Sequence, residues 1–288
     1  MTEQRQGGHI LACIDASEYA TSVIDNAAYA AERLGVGVEV LHVIQRADAV
    51  ARRRDLSGAV GLGAKSALMS ELTELEAAEA KLARRRGELM LADAKLRLTE
   101  QGITDVTLTH RHGGIIETII EREADARIVV MGKRGASADF AHGHIGSKVE
   151  RIVRASEKPV FVVSKTYRGI RRIVIAYDGG EMAARAAELA ATSPLTEGCA
   201  IYLVMCGRST DENRAMLDAA AARFDKREVK IRLQAGKTET VIAQAVEDFA
   251  ADLVLMGAYS HAPLRTLLVG STTSTMMRTC KVPVLLFR

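Results

Sequence analysis

Cysteine is scarce in this sequence, an excess of either charge is scarcer still, and no apolar run approaches membrane-spanning length. The four cysteines, Cys13, Cys199, Cys206 and Cys280, show no CxxC spacing, and two of them sit inside apolar strand-like runs. A thiol in such a run behaves as a small hydrophobe, so structural roles are expected for all four. With 39 basic and 36 acidic residues the net charge is only +3. So balanced a chain has no whole-molecule field to recruit nucleic acid or a membrane surface. The opening stretch "MTEQRQGGHILACID" has neither the charged start nor the apolar core of a secretion signal, and a cytoplasmic location is expected. The seven histidines are scattered, and neither a nucleophile–base pair in motif context nor a metal-ligand cluster can be found. Strong catalysis and a metal centre are not expected.

What the sequence does have is itself, twice. The 288 residues, 48% hydrophobic and 26% charged, suffice for two domains. "HILACIDASEYA" (9–20) aligns without a gap with "RIVIAYDGGEMA" (172–183), placing Asp15 over Asp178 and Glu18 over Glu181. In the same order, "VLHVI" follows with "YLVMC", "RHGGIIETII" with "LQAGKTETVI", and "ARIVVMGKRG" with "ADLVLMGAYS". "IGSKVERIVRASEKPVFVVS" finally pairs with "VGSTTSTMMRTCKVPVLLFR", Pro159 over Pro283. Two homologous domains, 1–166 and 167–288, should meet near Lys165 to Ile170. In each, apolar β-rich runs of about five residues alternate with stretches of helical period. That alternation implies right-handed βαβ crossovers and an α/β, doubly wound, five-stranded, mostly parallel sheet.

One stretch, "LQAGKTETVI" (233–242), looks like the tail of a phosphate loop. A Walker loop needs a glycine five residues before Gly236, and Ile231 stands there inside the expected third strand. The cradle is missing. Gly236 is expected to permit a tight strand-to-helix turn, with Thr238 as a helix cap.

Ligands of open parallel sheets sit outside the carboxyl ends of the strands, where the strand order reverses. After strand one come Asp15 and Asp178. After strand four come "MGKRGASADFAHGHIGSK" (131–148) and "MGAYSHAPLRTLLVGSTT" (256–273), in which Gly146-Ser147 and Gly270-Ser271-Thr272 open expected helices. Helix starts of this kind present free N–H groups to phosphate, while a carboxylate suits a ribose hydroxyl or base amino group. The bland alternative makes the glycines turns and the aspartates caps.

These residues resemble the universal stress protein family, whose nucleotide-binding members carry Gly, two residues, Gly, nine residues, Gly and then Ser or Thr after the fourth strand. The resemblance covers nearly the whole chain twice and implies two tandem flavodoxin-like domains packed as a pseudo-dimer. In the second half Gly257, Ser260, Gly270 and Ser271 keep the spacing, but Ser260 replaces a glycine. In the first half Gly132, Gly135, Gly146 and Ser147 keep the residue types, with ten residues between the inner pair. The second domain is preferred, because helix-start spacing controls phosphate geometry most directly. By resemblance, the adenine of ATP or AMP, with or without Mg, should meet backbone groups near Met205 or Val43. Asp178 or Asp15 should hold the base and ribose end, and Met256 or Met131 should close over the ribose with the glycine-rich loop. The implied role is regulation of a stress response, with ATP hydrolysis at most slow. The rival is a nucleotide-free scaffold, and a third reading is an adenylyl-transferring enzyme of related fold.

One segment has no counterpart. Between strands two and three the first half spends 61 residues (45–105) and the second 22 (207–228), so a helical insertion is expected at about 46–100. In it Leu68, Leu75, Leu82, Leu89 and Leu96 return every seven residues, after "ARRRD" at 51–55. A DNA-binding zipper is set aside, because Leu72 is followed at the same step by Glu79, Arg86 and Asp93, and because Gly58, Gly61 and Gly63 intervene. The leucines are expected to form a buried stripe against the domain or a protein partner, with Arg84 to Arg86 solvated and a phosphate-contacting role for that run left open. A homo-oligomer is expected, without nucleic acid or membrane partners.

Overall fold

The computed structural model describes residues 7–45, 62–135, 147–224, 227–258 and 271–288. In the first half β1 (His9–Ile14), β2 (Gly37–Ile44), β3 (Val106–His112), β4 (Ala126–Gly132) and β5 (Val160–Val163) stand in the order β3-β2-β1-β4-β5. In the second, β6 (Arg172–Ala176), β7 (Ala200–Cys206), β8 (Val229–Gln234), β9 (Leu253–Gly257) and β10 (Val284–Phe287) repeat that order as β8-β7-β6-β9-β10. All pairings within a half are parallel. This is the doubly wound α/β arrangement that the alternation implied. Strand order reverses between β1 and β4, and again between β6 and β9.

The two sheets do not merely pack; they join. β5 and β10 pair antiparallel, Phe161 opposite Leu285, so that one ten-stranded sheet runs through the molecule. The reason lies in their sequences, "VFVV" and "VLLF", both buried along their whole length. An apolar edge strand with open N–H and C=O groups must be covered, and each half covers the other's. Side chains reinforce the seam: Tyr29 Oη donates to Leu195 O at 2.6 Å, Arg33 to Glu197 O at 2.9 Å, and buried Lys133 to Val282 O at 3.1 Å and to Cys280 O.

Helices cover both faces. On one lie α1 (Ala20–Leu34), α2 (Leu62–Glu100), α5 (Glu181–Thr192) and α6 (Asp211–Ala221); on the other lie α3 (Ile115–Arg122), α4 (Ser147–Ala155), α7 (Thr238–Asp248) and α8 (Ser271–Thr279). The insertion is α2, 39 residues long, while 46–61 lies outside the described residues. Its docked face is Gly87, Leu91, Ala94 and Leu98, spaced four, three and four apart as one side of a helix requires. Arg97 anchors it, with Nε 2.7 Å and Nη2 2.9 Å from the two carboxylate oxygens of Asp25 on α1. The expectation that the leucine repeat packs against its own domain is therefore corrected. Leu75, Leu82, Leu89 and Leu96 are 56–71% exposed. A second apolar series, offset by two residues and so about 200° around the helix, took the sheet-facing side. Arg84, Arg85 and Arg86 are exposed, as expected.

The turn at Gly236 also differs in detail. Gly236 has φ 153°, and Gly113, one residue before the position that the repeat sets over Gly236, has φ 144°; each immediately precedes the cap residue of the following helix, in a backbone conformation that favours glycine. Thr238 is the first helical residue, while Lys237 occupies the cap position without a side-chain cap bond.

Candidate functional site

The carboxyl ends of β1, β2 and β4 open into a cavity of about 670 Å³, walled by α2 from one face of the sheet and by α3 and α4 from the other. Its size falls within the about 300–1,000 Å³ usual for small-molecule sites. Val43 and Leu41 form its apolar floor on the β2 side, Met131 and Gly132 on the β4 side, and Asp15 follows β1. Asp15 Oδ1 accepts the Ser17 N–H at 3.1 Å, an aspartate turn that holds the carboxylate at the mouth. Gly135 sits against it, since a Cβ built there would lie 2.7 Å from Asp15 Oδ2. Cations surround the opening: Arg134 from the turn after β4, Lys148 from the first turn of α4 and Arg86 from α2. Lys148 Nζ donates to Gln45 Oε1 at 2.5 Å, bridging α4 to the end of β2. Two carboxylates, Asp15 and Glu79, three cations and an apolar floor suit an anionic ligand with an apolar ring. Cys13 also lines the cavity, but burial, reinforced by Glu39 and Glu123, pushes its thiol far up, away from thiolate chemistry. Among the described residues no group of His, Cys, Asp and Glu could hold a metal, and no helix is long and apolar enough to cross a membrane.

The α2 wall rests on histidines. His42 of β2 and His110 of β3 lie 5.0 Å apart with their rings tilted by 58°, and His112 stacks 6.0 Å beyond His110. Gly87 lies directly over the first two. A Cβ there would meet His110 Nε2 at 2.5 Å and His42 Nδ1 at 2.8 Å, so only glycine lets the helix come this close. Those two nitrogens are buried without a hydrogen-bond partner among the described residues. Both imidazoles are held below their usual 6.5: His42 by burial, then His110 and Arg86 against the pull of Asp15; His110 by burial, then His112 and Arg84 against Glu88. The lowered values fix the sign. With α2 docked the rings resist protonation; with α2 released the burial that opposes it is relieved. Docking is therefore fully favoured above pH 6.5 and weakens as pH falls below it. The protection of residues 87–98 against hydrogen exchange, relative to the intrinsic rate at each pH, is expected to fall from neutral to mildly acidic pH, and His42→Asn with His110→Asn should flatten that dependence. Gly87→Val should undock the segment at any pH.

Of the first-half candidates, Asp15, Val43, Met131, Gly132 and Gly135 all line this one cavity. Gly146 lies outside the described residues, and Ser147 opens α4. In the second half Asp178 is exposed after β6, its Oδ1 accepting the Gly180 N–H at 2.9 Å as Asp15 does for Ser17. Met205 and Met256 are buried at the ends of β7 and β9, and Gly257 packs against Met182. Ser260 and Gly270 lie outside the described residues, while Ser271 and Thr272 open α8. Neither aspartate is a helix cap, because Tyr19 and Gly180 hold those positions. Sequence reasoning missed the contribution of α2, which lends the cavity Glu79, Leu82, Ala83, Arg86 and Met90. The run Arg84 to Arg86 was the available signal; its orientation was not.

The profile of the universal stress protein family matches residues 8–164 and 205–288. Universal stress protein Slr1230 of Synechocystis is 34% identical over 285 residues, 97% of this chain and 99% of its own. The crystal structure of a universal stress protein from Archaeoglobus fulgidus superposes with a TM-score of 0.67 at 21% identity, covering 99% of this chain and 97% of that one.

Proposed function

The chain belongs to the universal stress protein family, and from that premise we propose that it binds an adenine nucleotide, ATP or AMP, in the first-half cavity and acts as a stress regulator. The observation that carries this reading is the convergence of Asp15, Val43, Met131, Gly132 and Gly135 on one cleft at the reversal of strand order. In it Asp15 takes the ribose hydroxyls or base amino group, the backbone near Val43 takes the adenine, and Met131 covers the ribose. Gly132 and Gly135 let the backbone approach the phosphates, which end at the Gly146-Ser147 start of α4 with Arg134 and Lys148 as counter-charges. Arg86 adds a third counter-charge from the insertion. Mg, if required, comes with the nucleotide phosphates.

The second half carries the same plan in Asp178, Met205, Met256, Gly257, Ser260, Gly270, Ser271 and Thr272, and is proposed as a second, separately titrating site. Domain limits of 1–166 and 167–288 follow from the repeat. Mass spectrometry of protein purified without added nucleotide, followed by calorimetric titration with ATP and AMP with and without Mg, tests the reading. Bound or titratable adenine nucleotide is the expected result. A folded chain that binds none would favour the scaffold. Lys237 belongs to an exposed turn with no phosphate cradle, so Lys237→Ala should leave ATP affinity unchanged; a loss above about tenfold (about 1.4 kcal/mol) would restore it as a ligand.

A further inference from the structure

Where the halves join there is a second cavity, which shares only Arg134 with the cleft already described. It measures about 250 Å³, below the about 300–1,000 Å³ usual for organic ligands. Its walls carry five cations: Lys133, Arg134 and Lys165 from the first half, Arg278 and Lys281 from the second. Among the described residues no carboxylate lines it. A cleft lined by one sign of charge focuses its field on an entering anion. Lys133 lies deepest, only 7% exposed. Two of its three N–H groups go to the carbonyls of Cys280 and Val282 beyond the end of α8, and one remains for the cavity. Burial, with Arg134 adding to it against a pull from Cys280, holds its pKa below the ordinary 10.5. An ammonium so placed, with cations for neighbours, is one that an anion compensates.

The seam does not require this arrangement. The repeat sets Ala258 over Lys133 and Glu157 over Lys281, and that corner closes all the same. Ala258 N–H donates to Phe287 O at 2.7 Å, as Lys133 N–H does to Val163 O at 3.3 Å. There the carbonyl of Arg154 on α4 is met from the surface by exposed Arg288. The buried lysine and the basic residue after the helix thus mark one corner only. We infer that this cavity is an oxyanion site that takes a phosphate dianion, free or as the terminal group of a small ester. In it Lys133 supplies the buried charge, Arg134 and Arg278 offer forked donors to the phosphate oxygens, and Lys165 and Lys281 close from the rim. The rim pairs, Lys165 with Glu18 and Lys281 with Glu247 at 3.3 Å, are exposed and yield to a multivalent anion.

Calorimetric titration of the full chain with inorganic phosphate, at constant ionic strength set by chloride, tests this without reference to nucleotide. Saturable binding is expected. The double variant Arg278→Gln, Lys281→Gln, exposed and outside the nucleotide cleft, should weaken it at least about tenfold, 1.4 kcal/mol, with circular dichroism and ATP titration unchanged. Lys133→Met should weaken it further, and the exposed pair keeps the test decisive even if that variant does not fold. Thermal melts give a second readout: phosphate excluded from the surface stabilises parent and double variant alike, whereas bound phosphate stabilises the parent more. Glycerol phosphate separates the two sources, since tighter binding of the ester indicates the terminal group of a metabolite and tighter binding of the ion indicates phosphate itself. A parent without saturable phosphate binding, or a folded double variant that binds phosphate as the parent does, would overturn the proposal.

Discussion

Arg122→Ala is expected to destabilise the fold by about 3–5 kcal/mol, because it strips the counter-charge from a buried carboxylate. Glu39 on β2 is 2% exposed and faces α3. Arg122 grips it with both arms, Nε to Oε1 at 2.9 Å and Nη2 to Oε2 at 2.8 Å, while the Thr109 hydroxyl donates at 2.7 Å and His9 Nε2 stands 3.1 Å away. Burial alone would raise the Glu39 pKa; the bonds from His9, Arg122 and Thr109 outweigh it and hold it at about 2, against 4.5 ordinarily. A difference of that size corresponds to about 3 kcal/mol of preference for the ionised form, the same order as the expected loss. The depressed value also fixes the pH dependence. The contribution is present above about pH 4.5 and is lost as pH falls through about 2. Denaturant melts at neutral pH should show the loss, and acid titration should show Arg122→Ala unfolding at a higher pH than the parent. A cost below about 1 kcal/mol would mean that water replaces the guanidinium, as at a surface pair.

Asp15→Ala is expected to weaken ATP binding by roughly ten- to a hundredfold, the 1.5–3 kcal/mol of a hydrogen bond to a charged group. Gly135→Val should match or exceed it, since its Cβ would press 2.7 Å from Asp15 Oδ2 and narrow the mouth of the cavity. The matching second-half changes, Asp178→Ala and Gly270→Val, measure the other site. If affinity falls with the second pair and not with the first, the nucleotide occupies the second half, as the spacing of its helix start implies. If all four folded variants titrate like the parent, the aspartates are turn residues only, and their bonds to Ser17 and Gly180 are their whole role. Calorimetry on the four variants separates these outcomes.

Much of the candidate site was legible because it is local. Asp15 and Gly132 stand at the ends of strands whose apolar runs are plain in the sequence, and in a parallel sheet strand ends converge by construction. The part contributed by α2 was not legible. Arg86 and Glu79 reach the cavity from positions each more than thirty residues along the chain from both β2 and β4, and no short-range pattern encodes which way a long helix lies. The histidines were equally opaque. His42 and His110 each read as an ordinary strand residue until the β2–β3 register set them side by side under Gly87.

By itself the sequence determined the doubly wound α/β halves, their duplication, and the residues that end β1 and β4. Each follows from local periodicity, turn chemistry and internal alignment, which depend only on near neighbours. Tertiary structure alone decided two matters. The sheets fused through β5 and β10, because two short apolar edges satisfy their backbone groups best in each other. And of two apolar series on α2, the one carrying Gly87, Leu91, Ala94 and Leu98 docked, leaving the heptad leucines to solvent. The leucines advertise the stronger repeat, but the sheet admits the face with the small residues, because only there can a helix approach His42 and His110 without a clash.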